Sequence, residues 1–139
     1  MIILDTNVLS ALMQSTPEAI VVDWLNRQPA ESIWITTITV YEIRFGLALM
    51  PQGRKRRSLE LSFDRLLDED FENRVLDYDV PSATAAALLA ADRHRAGKTP
   101  DIRDTQIAGI VLARRAVLAT RNVRHFSDLA ATVVNPWTS

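Results

Sequence analysis

The chain has 139 residues, 47% of them hydrophobic and 24% charged, a size and balance that suit one soluble globular domain able to bury a core. With 16 Lys and Arg against 17 Asp and Glu the formal net charge is -1, so no global field draws the protein to nucleic acid or membranes, and any polyanion contact must be local. The absence of cysteine excludes disulfides, thiolate metal sites and cysteine nucleophiles, and points to a reducing, cytoplasmic compartment.

Ile2-Ile3-Leu4 is a continuous apolar run that stops at the polar trio Asp5-Thr6-Asn7, before helical spacing begins at Val8, Leu9, Leu12 and Met13. This predicts a buried strand feeding a helix. The opening run meets an acid too early for a signal peptide, and the Ala/Leu-rich stretch from Ala85 to Ala91 is far too short for a membrane span. Thr16-Pro17-Glu18 predicts an N-cap with proline in the first turn of a helix carrying Ile20, Val21, Trp24 and Leu25 on one side, with Pro29 beyond its end.

Ile33 to Thr37 predicts a second strand, after which Thr39 is expected to cap a helix with Val40, Ile43, Leu47 and Met50 on one stripe, ending near Pro51 and Gly53. The basic run Arg54 to Arg57 leads into Leu59, Phe63, Leu66 and Leu67 at helical intervals up to Asp70, which predicts a charged two-helix lobe. Val75-Leu76 is a short third strand. From Pro81-Ser82 an alanine-rich helix runs to about Ala96 and is closed by Gly97, and Pro100-Asp101 begins another that reaches Arg115. Ala116 to Thr120 is a strand ending in Thr120-Arg121-Asn122, and Val133-Val134 is the last. Strands alternate with helices and no linker or repeat interrupts them, so residues 1–139 read as a single α/β domain with a mostly parallel sheet.

Parallel sheets bind ligands beyond the carboxyl ends of their strands, where Asp5-Thr6-Asn7 and Thr120-Arg121-Asn122 are expected to lie. An ionised Asp after a buried strand must be paired, capped or bound to metal, so Asp5 reads either as a helix cap or as a metal ligand. Glu42 lies on a stripe with Phe45, Gly46 and Leu49 that is not plainly solvated. Asp104 falls in the first turn of its helix, on a stripe with Ala108 and Val111, and Asp101 is expected to cap that helix. Brought together without histidine or cysteine, such acids suit a hard cation such as Mg²⁺ or Mn²⁺, which polarises phosphate and activates water.

Other chemistries lack their motifs. There is no His-Glu-x-x-His, no Gly-x-x-x-x-Gly-Lys, no Gly-x-Gly-x-x-Gly and no Gly-x-Ser-x-Gly, and His94 between Arg93 and Arg95 reads as a solvated helix face. Arg44 is expected to pair with a neighbour rather than with substrate. The Arg54 to Arg57 run reads as a solvated face or as a backbone contact for RNA, with Arg121 and Arg124 as the alternative contact. Apolar surface around Trp24, Phe45 and Leu49 reads as core packing, or as a dimer or partner groove.

Four stretches resemble one family: Ile2 to Ser10 (Ile-Ile-Leu-Asp-Thr-Asn-Val-Leu-Ser), Thr39 to Leu47 (Thr-Val-Tyr-Glu-Ile-Arg-Phe-Gly-Leu), Asp101 to Ala108 (Asp-Ile-Arg-Asp-Thr-Gln-Ile-Ala) and Leu118 to Phe126 (Leu-Ala-Thr-Arg-Asn-Val-Arg-His-Phe). In order and spacing they are similar to a PIN-domain ribonuclease of the VapC toxin type, in its FitB-like branch. The resemblance implies a three-layer α/β/α PIN fold, Mg²⁺- or Mn²⁺-dependent endoribonuclease activity, a homodimer, a cognate antitoxin, and DNA contact only through that antitoxin. By motif, Asp5, Glu42 and Asp104 fall on the family's metal-binding acids. Asn122 falls on a fourth position where many relatives have Asp, and Thr120 on a threonine able to orient a ligand or water.

Two other functions compete with a ribonuclease. A small-molecule phosphohydrolase also uses an Asp after its first strand, but the second aspartate it needs two residues on is Asn7. A non-catalytic PIN subunit in a DNA-binding regulatory complex with its antitoxin is favoured by Asn122.

Overall fold

The computed structural model describes residues 1–99 and 101–139 and builds them around a five-stranded sheet in the order β3-β2-β1-β4-β5. The strands are β1 (Ile2–Leu4), β2 (Ile33–Thr36), β3 (Val75–Leu76), β4 (Val117–Ala119) and β5 (Val133–Val134), and all four pairings are parallel. The helices are α1 (Thr6–Leu12), α2 (Ala19–Asn26), α3 (Thr37–Leu49), α4 (Arg54–Arg65), α5 (Val80–Arg95) and α6 (Ile102–Arg114). A π-helical turn, Leu66–Asp70, extends α4, and a 3₁₀ turn, Val123–Phe126, follows β4.

Alternation along the strands makes three layers. Leu4, Ile33, Ile35 and Ala119 face a core completed by Val8, Leu9, Val21, Trp24, Ile43, Leu47 and Phe63 of the first four helices. Their strand neighbours Ile3 and Leu118 face the opposite core, which Leu89, Ile107, Ile110 and Val111 of α5 and α6 fill. Both faces of a parallel sheet are thus covered, which is why its strands read as unbroken apolar runs. From β1 the chain turns toward β2 and β3; it returns through α5 and α6 to β4 and β5 on the other side. The order reverses between β1 and β4, and the loops leaving those strands diverge and open a crevice there.

Helix starts differ from the sequence expectation where another cap satisfies the backbone. Glu18 occupies the N-cap of α2 without a side-chain capping bond, whereas Thr16 lies two residues farther out. Thr36, not Thr39, caps α3: its hydroxyl accepts from the Thr39 N–H, and Thr39 is itself fully buried. The carboxylate of Asp79 caps α5 through the N–H and hydroxyl of Ser82, bonds that hold its carboxyl below the ordinary value. Asp101 caps α6 as expected; the part of that expectation resting on Pro100 lies outside the described residues. The helix ends at Arg114, and Arg115 adopts the left-handed conformation (φ 52°) that closes it.

The charged two-helix lobe is not a separate body. Phe63 of α4 is fully buried in the first core, and Arg44 of α3 pairs with Asp64 at 2.6 Å while its guanidinium covers the Phe63 ring at 4.7 Å. Trp24 is also core, leaving Tyr41, Phe45 and Leu49 as the exposed apolar stripe of α3. Arg93, expected on a solvated face with His94, is 3% exposed because it is clamped from three directions, as described below. No helix among the described residues is long and apolar enough to cross a membrane.

The pairing of α5 with α6 depends on Gly109. A Cβ there would fall on the carbonyl oxygen of Ser82 and within 2.6 Å of the Ala86 Cβ. Gly109→Ala is therefore expected to lower unfolding stability by about 3 kcal/mol through overpacking. Gly46→Ala, in a helix with open space around the new Cβ, should instead raise it by about 0.5–1 kcal/mol. Urea unfolding of the two variants checks both signs.

Candidate active site

Asp5 is the first residue beyond β1, and its N–H donates to the Ala119 carbonyl of β4 at 2.9 Å, so the sheet ladder itself places it. Its side chain is only 4% exposed. Oδ1 accepts from the Thr6 N–H at 2.8 Å, and Oδ2 accepts from the Thr120 hydroxyl at 2.7 Å and the Asn7 amide at 3.3 Å. Burial pushes the Asp5 carboxyl up to about 6, aided by the charges of Asp104 and Glu42 and opposed by the bonds from Thr120 and Thr6. The two readings of Asp5 thus converge in one side chain, which caps α1 with one oxygen and stands in a group of acids.

Thr120, fully buried at the end of β4, donates to Asp5 and accepts from the Asn122 N–H at 3.1 Å and the Asn7 amide at 3.3 Å. Its hydroxyl orients a carboxylate. Glu42 on α3 is held by the Thr6 hydroxyl, which donates to Oε1 at 2.8 Å. That uses Thr6's only hydroxyl proton, so the buried Thr39 hydroxyl, 2.9 Å away, donates to Thr6 in turn. Arg103 Nη1 lies 3.8 Å from Glu42 Oε2.

Asp104 stands in the first turn of α6, whose N-terminus is capped by Asp101 through the N–H groups of Arg103 and Asp104. Its Oδ2 is 3.4 Å from His125 Nδ1. His125 is placed by Arg93. That guanidinium forks onto Asp128 with two bonds of 2.9 Å, donates to the His125 carbonyl at 3.0 Å, and reaches the Thr105 hydroxyl of α6 at 3.1 Å. The Arg93 fork also holds the Asp128 carboxyl below the ordinary carboxylate range. One buried cation therefore ties α5, α6 and the 3₁₀ turn together behind Asp104.

Asp5, Glu42, Asp104 and Asn122 open on one cavity of about 770 Å³, shared with Thr6 and Asn7. All the residues singled out for chemistry in the sequence thus line it or, in Thr120, support it from beneath. The sequence reading missed Arg103 and His125, which touch the acids across long separations, and the Thr6 bridge to Glu42. Of the basic run, Arg56 is engaged by Glu60 and by the carbonyls of Ala48 and Met50. Arg54 and Lys55 face a neighbouring groove that shares Thr6 and Glu42 with the cavity.

The donor set is all oxygen, and its most buried acid carries no cation to offset its charge, which fits a hard divalent ion. Among the described residues no three acidic or histidine side chains stand close enough to enclose an ion by themselves. The arrangement suits a cation that keeps most of its water, as Mg²⁺ does with one or two carboxylates.

Fold and site together define a class: a three-layer α/β/α protein with three carboxylates and a neutral amide at the switch point of an all-parallel sheet. The family model described as "PIN domain" matches residues 2–131. The chain is 41% identical over 137 residues to the plasmid stability protein StbB of Pseudomonas syringae pv. tomato, 34% to the VapC ribonuclease Y4jK of Sinorhizobium fredii and 33% to the toxin FitB of Neisseria gonorrhoeae. Each match covers 99% of this chain and at least 98% of the relative. The crystal structure of FitAcB from Neisseria gonorrhoeae superposes with a TM-score of 0.90 at 32% identity, covering all of both chains. The structure of FitAB bound to an IR36 DNA fragment gives 0.89 at 33%, over 99% of this chain and 96% of that one. The chain belongs to the PIN-domain family, within its VapC/FitB toxin–antitoxin group.

The raised Asp5 carboxyl has a measurable consequence. Below pH about 4 it is protonated in both folded and unfolded chains; between its ordinary 3.8 and about 6 only the folded chain retains the proton. Its contribution to stability is therefore lost as pH rises through that window, by roughly 3 kcal/mol in all, and is flat above it. In metal-free protein, the stability of Asp5→Asn relative to the parent should rise by that amount between pH 4 and pH 7.5. Urea unfolding in EDTA at the two pH values checks it.

Proposed function

We propose that the chain is a metal-dependent endoribonuclease that hydrolyses RNA phosphodiester bonds in the cytoplasm, as the toxin of a type II toxin–antitoxin pair. The observation that carries this reading is geometric: Asp5, Glu42 and Asp104, each from a different element, line one cavity where the sheet order reverses. Such a cluster repels itself when bare and is relieved by a cation. The family's VapC members are named ribonucleases, and its solved neighbours include a FitAB complex on DNA, which support the reaction and the antitoxin partner.

Asp5, Glu42 and Asp104 would hold Mg²⁺ or Mn²⁺, and the bound cation supplies phosphate polarisation and water activation. The chain's own residues do the rest. Thr120 and the Thr6 N–H fix both Asp5 oxygens; Oδ1 retains a free lone pair, and Oδ2 has only the long 3.3 Å bond from the Asn7 amide to give up. Thr6 and Thr39 hold Glu42 in a set rotamer. Asn122 carries no charge; its carbonyl accepts from water and its amide donates to a phosphate oxygen. A homodimer belongs to this reading, with the exposed Tyr41, Phe45 and Leu49 stripe as its available apolar surface.

Asp5→Asn and Asp104→Asn should each lower RNA cleavage in Mg²⁺ by roughly 100-fold with the circular dichroism unchanged, because charge is lost and volume kept. Glu42→Gln should be milder. Parent-level cleavage by both aspartate variants would remove the site. A non-catalytic subunit acting with an antitoxin on DNA is the second reading, favoured by the neutral Asn122 and by the loosely spaced acids. Purified parent protein that leaves RNA intact in both Mg²⁺ and Mn²⁺ would establish it.

Asn122 gives a separate expectation. Asn122→Asp should tighten Mn²⁺ binding and leave cleavage intact or raised, whereas Asn122→Ala should reduce turnover moderately. Calorimetric metal titration decides; unchanged affinity in the Asp variant would place this side chain outside the metal's reach.

A further inference from the structure

Arg121 follows Thr120 directly and lines the same cavity as Asp5, Glu42 and Asp104, yet among the described residues its guanidinium pairs with no carboxylate. An exposed cation beside three acids would ordinarily swing onto one of them. Here it stacks instead on Trp137, with Cζ 4.8 Å from the ring centroid. The indole is held from several sides: its N–H donates to Glu18 Oε2 at 2.9 Å, its backbone N–H donates to Asn135 Oδ1 at 2.9 Å, and it packs against the first core. The Arg121 backbone is fixed as well, its N–H donating to Asn7 Oδ1 at 3.2 Å, and Asn7 in turn donates to Asp5.

A guanidinium lying on an aromatic face keeps its N–H edge free, and that edge matches two phosphate oxygens. We propose that Arg121, backed by Trp137, is the anchor for the RNA phosphodiester adjacent to the one being cut. The proposal rests on the ribonuclease reading for its substrate. Stacking withholds Arg121 from the acids, so the carboxylates stay available to a cation while the arginine is presented in advance to the strand. The contact is to the backbone, so it positions RNA without reading bases, and it supplies locally the positive charge that a net charge of -1 does not supply globally. Trp137 also lines the cavity, and its role in the proposal is that of a positioning residue acting through Arg121.

The test is binding of a fluorescein-labelled single-stranded RNA decamer, followed by anisotropy from 50 to 200 mM salt in the Asp104→Asn chain with Mg²⁺, beside cleavage by the parent. Arg121→Gln should weaken binding about fivefold or more at low salt and make the plot of log affinity against log salt shallower by about 0.7, the loss of one single-strand phosphate contact. Trp137→Phe, which keeps an aromatic face, should bind nearly as the Asp104→Asn chain does, and Trp137→Leu should approach Arg121→Gln. In an Arg121→Gln chain, Trp137→Leu should cost nothing further, an outcome a merely structural tryptophan would not give. Thermal melts identify any variant that fails to fold, and Arg121→Gln alone, which disturbs no core contact, still decides.

Unchanged affinity and slope in Arg121→Gln would overturn the proposal, as would an equal effect of Trp137→Leu with and without Arg121. If the protein binds RNA with the Arg121 dependence but the parent does not cleave, the anchor stands and the ribonuclease reading falls. If cleavage occurs with no Arg121 dependence of binding, the reverse holds. A protein that neither binds nor cleaves RNA loses both.

Discussion

Much of this structure is arranged around one carboxylate buried where two parallel strands end. Asp5 sits beyond β1 because Leu4 is paired with Ala119, and that register puts Thr120 beside it, at hydrogen-bond distance. A charge this deeply buried is unfavourable unless it is bonded or neutralised. Backbone and hydroxyl donors supply part of the compensation and leave the rest unmet, so the carboxyl titrates near 6. The residual cost is concentrated at the point where the sheet order reverses, and a bound cation would relieve it.

The polar groups around Asp5 are held through one another. Thr39 holds Thr6, Thr6 holds Glu42, and Thr120 gathers Asn7 and Asn122 onto the same oxygen. None of these links spans fewer than two residues, and several join elements more than thirty residues apart. Among the described residues no buried side-chain polar atom is left without a partner. Such connected networks fix rotamers more firmly than isolated bonds do, which a site for a charged, geometry-sensitive ligand requires.

The cations near the site are handled differently from one another. Arg93 is sunk behind Asp104 and fully engaged, serving as a rivet between α5, α6 and the turn that carries His125. Arg103 is shared loosely between Glu42 and Asp101 at 3.8 Å each. Arg121 is parked on an indole. Three arginines of identical chemistry therefore act as scaffold, partial counterion and free cation, and burial and neighbours alone separate them.

The sequence by itself determined the strands, the helices, the parallel α/β class and the polar residues that gather at one cavity. Apolar runs such as Ile2 to Leu4 and helical stripes such as Val40, Ile43 and Leu47 are local signals, set by side-chain periodicity. Motif spacing marked Asp5, Glu42, Asp104, Thr120 and Asn122, and all of them meet at one end of the sheet. Local signals faltered where two residues competed for one role: Thr36 and Thr39 both lie at the start of α3, and only the position of the chain leaving β2 selects Thr36 as its cap. The tertiary structure alone decided which arginines are buried, because Arg93 meets Asp128, thirty-five residues away, together with Thr105 and the His125 carbonyl, whereas Arg95 pairs with Asp92 of its own helix. It alone also brought Trp137 to Arg121 and His125 to Asp104, since contacts across strand crossovers depend on sheet order and register, which no periodicity within a single segment encodes.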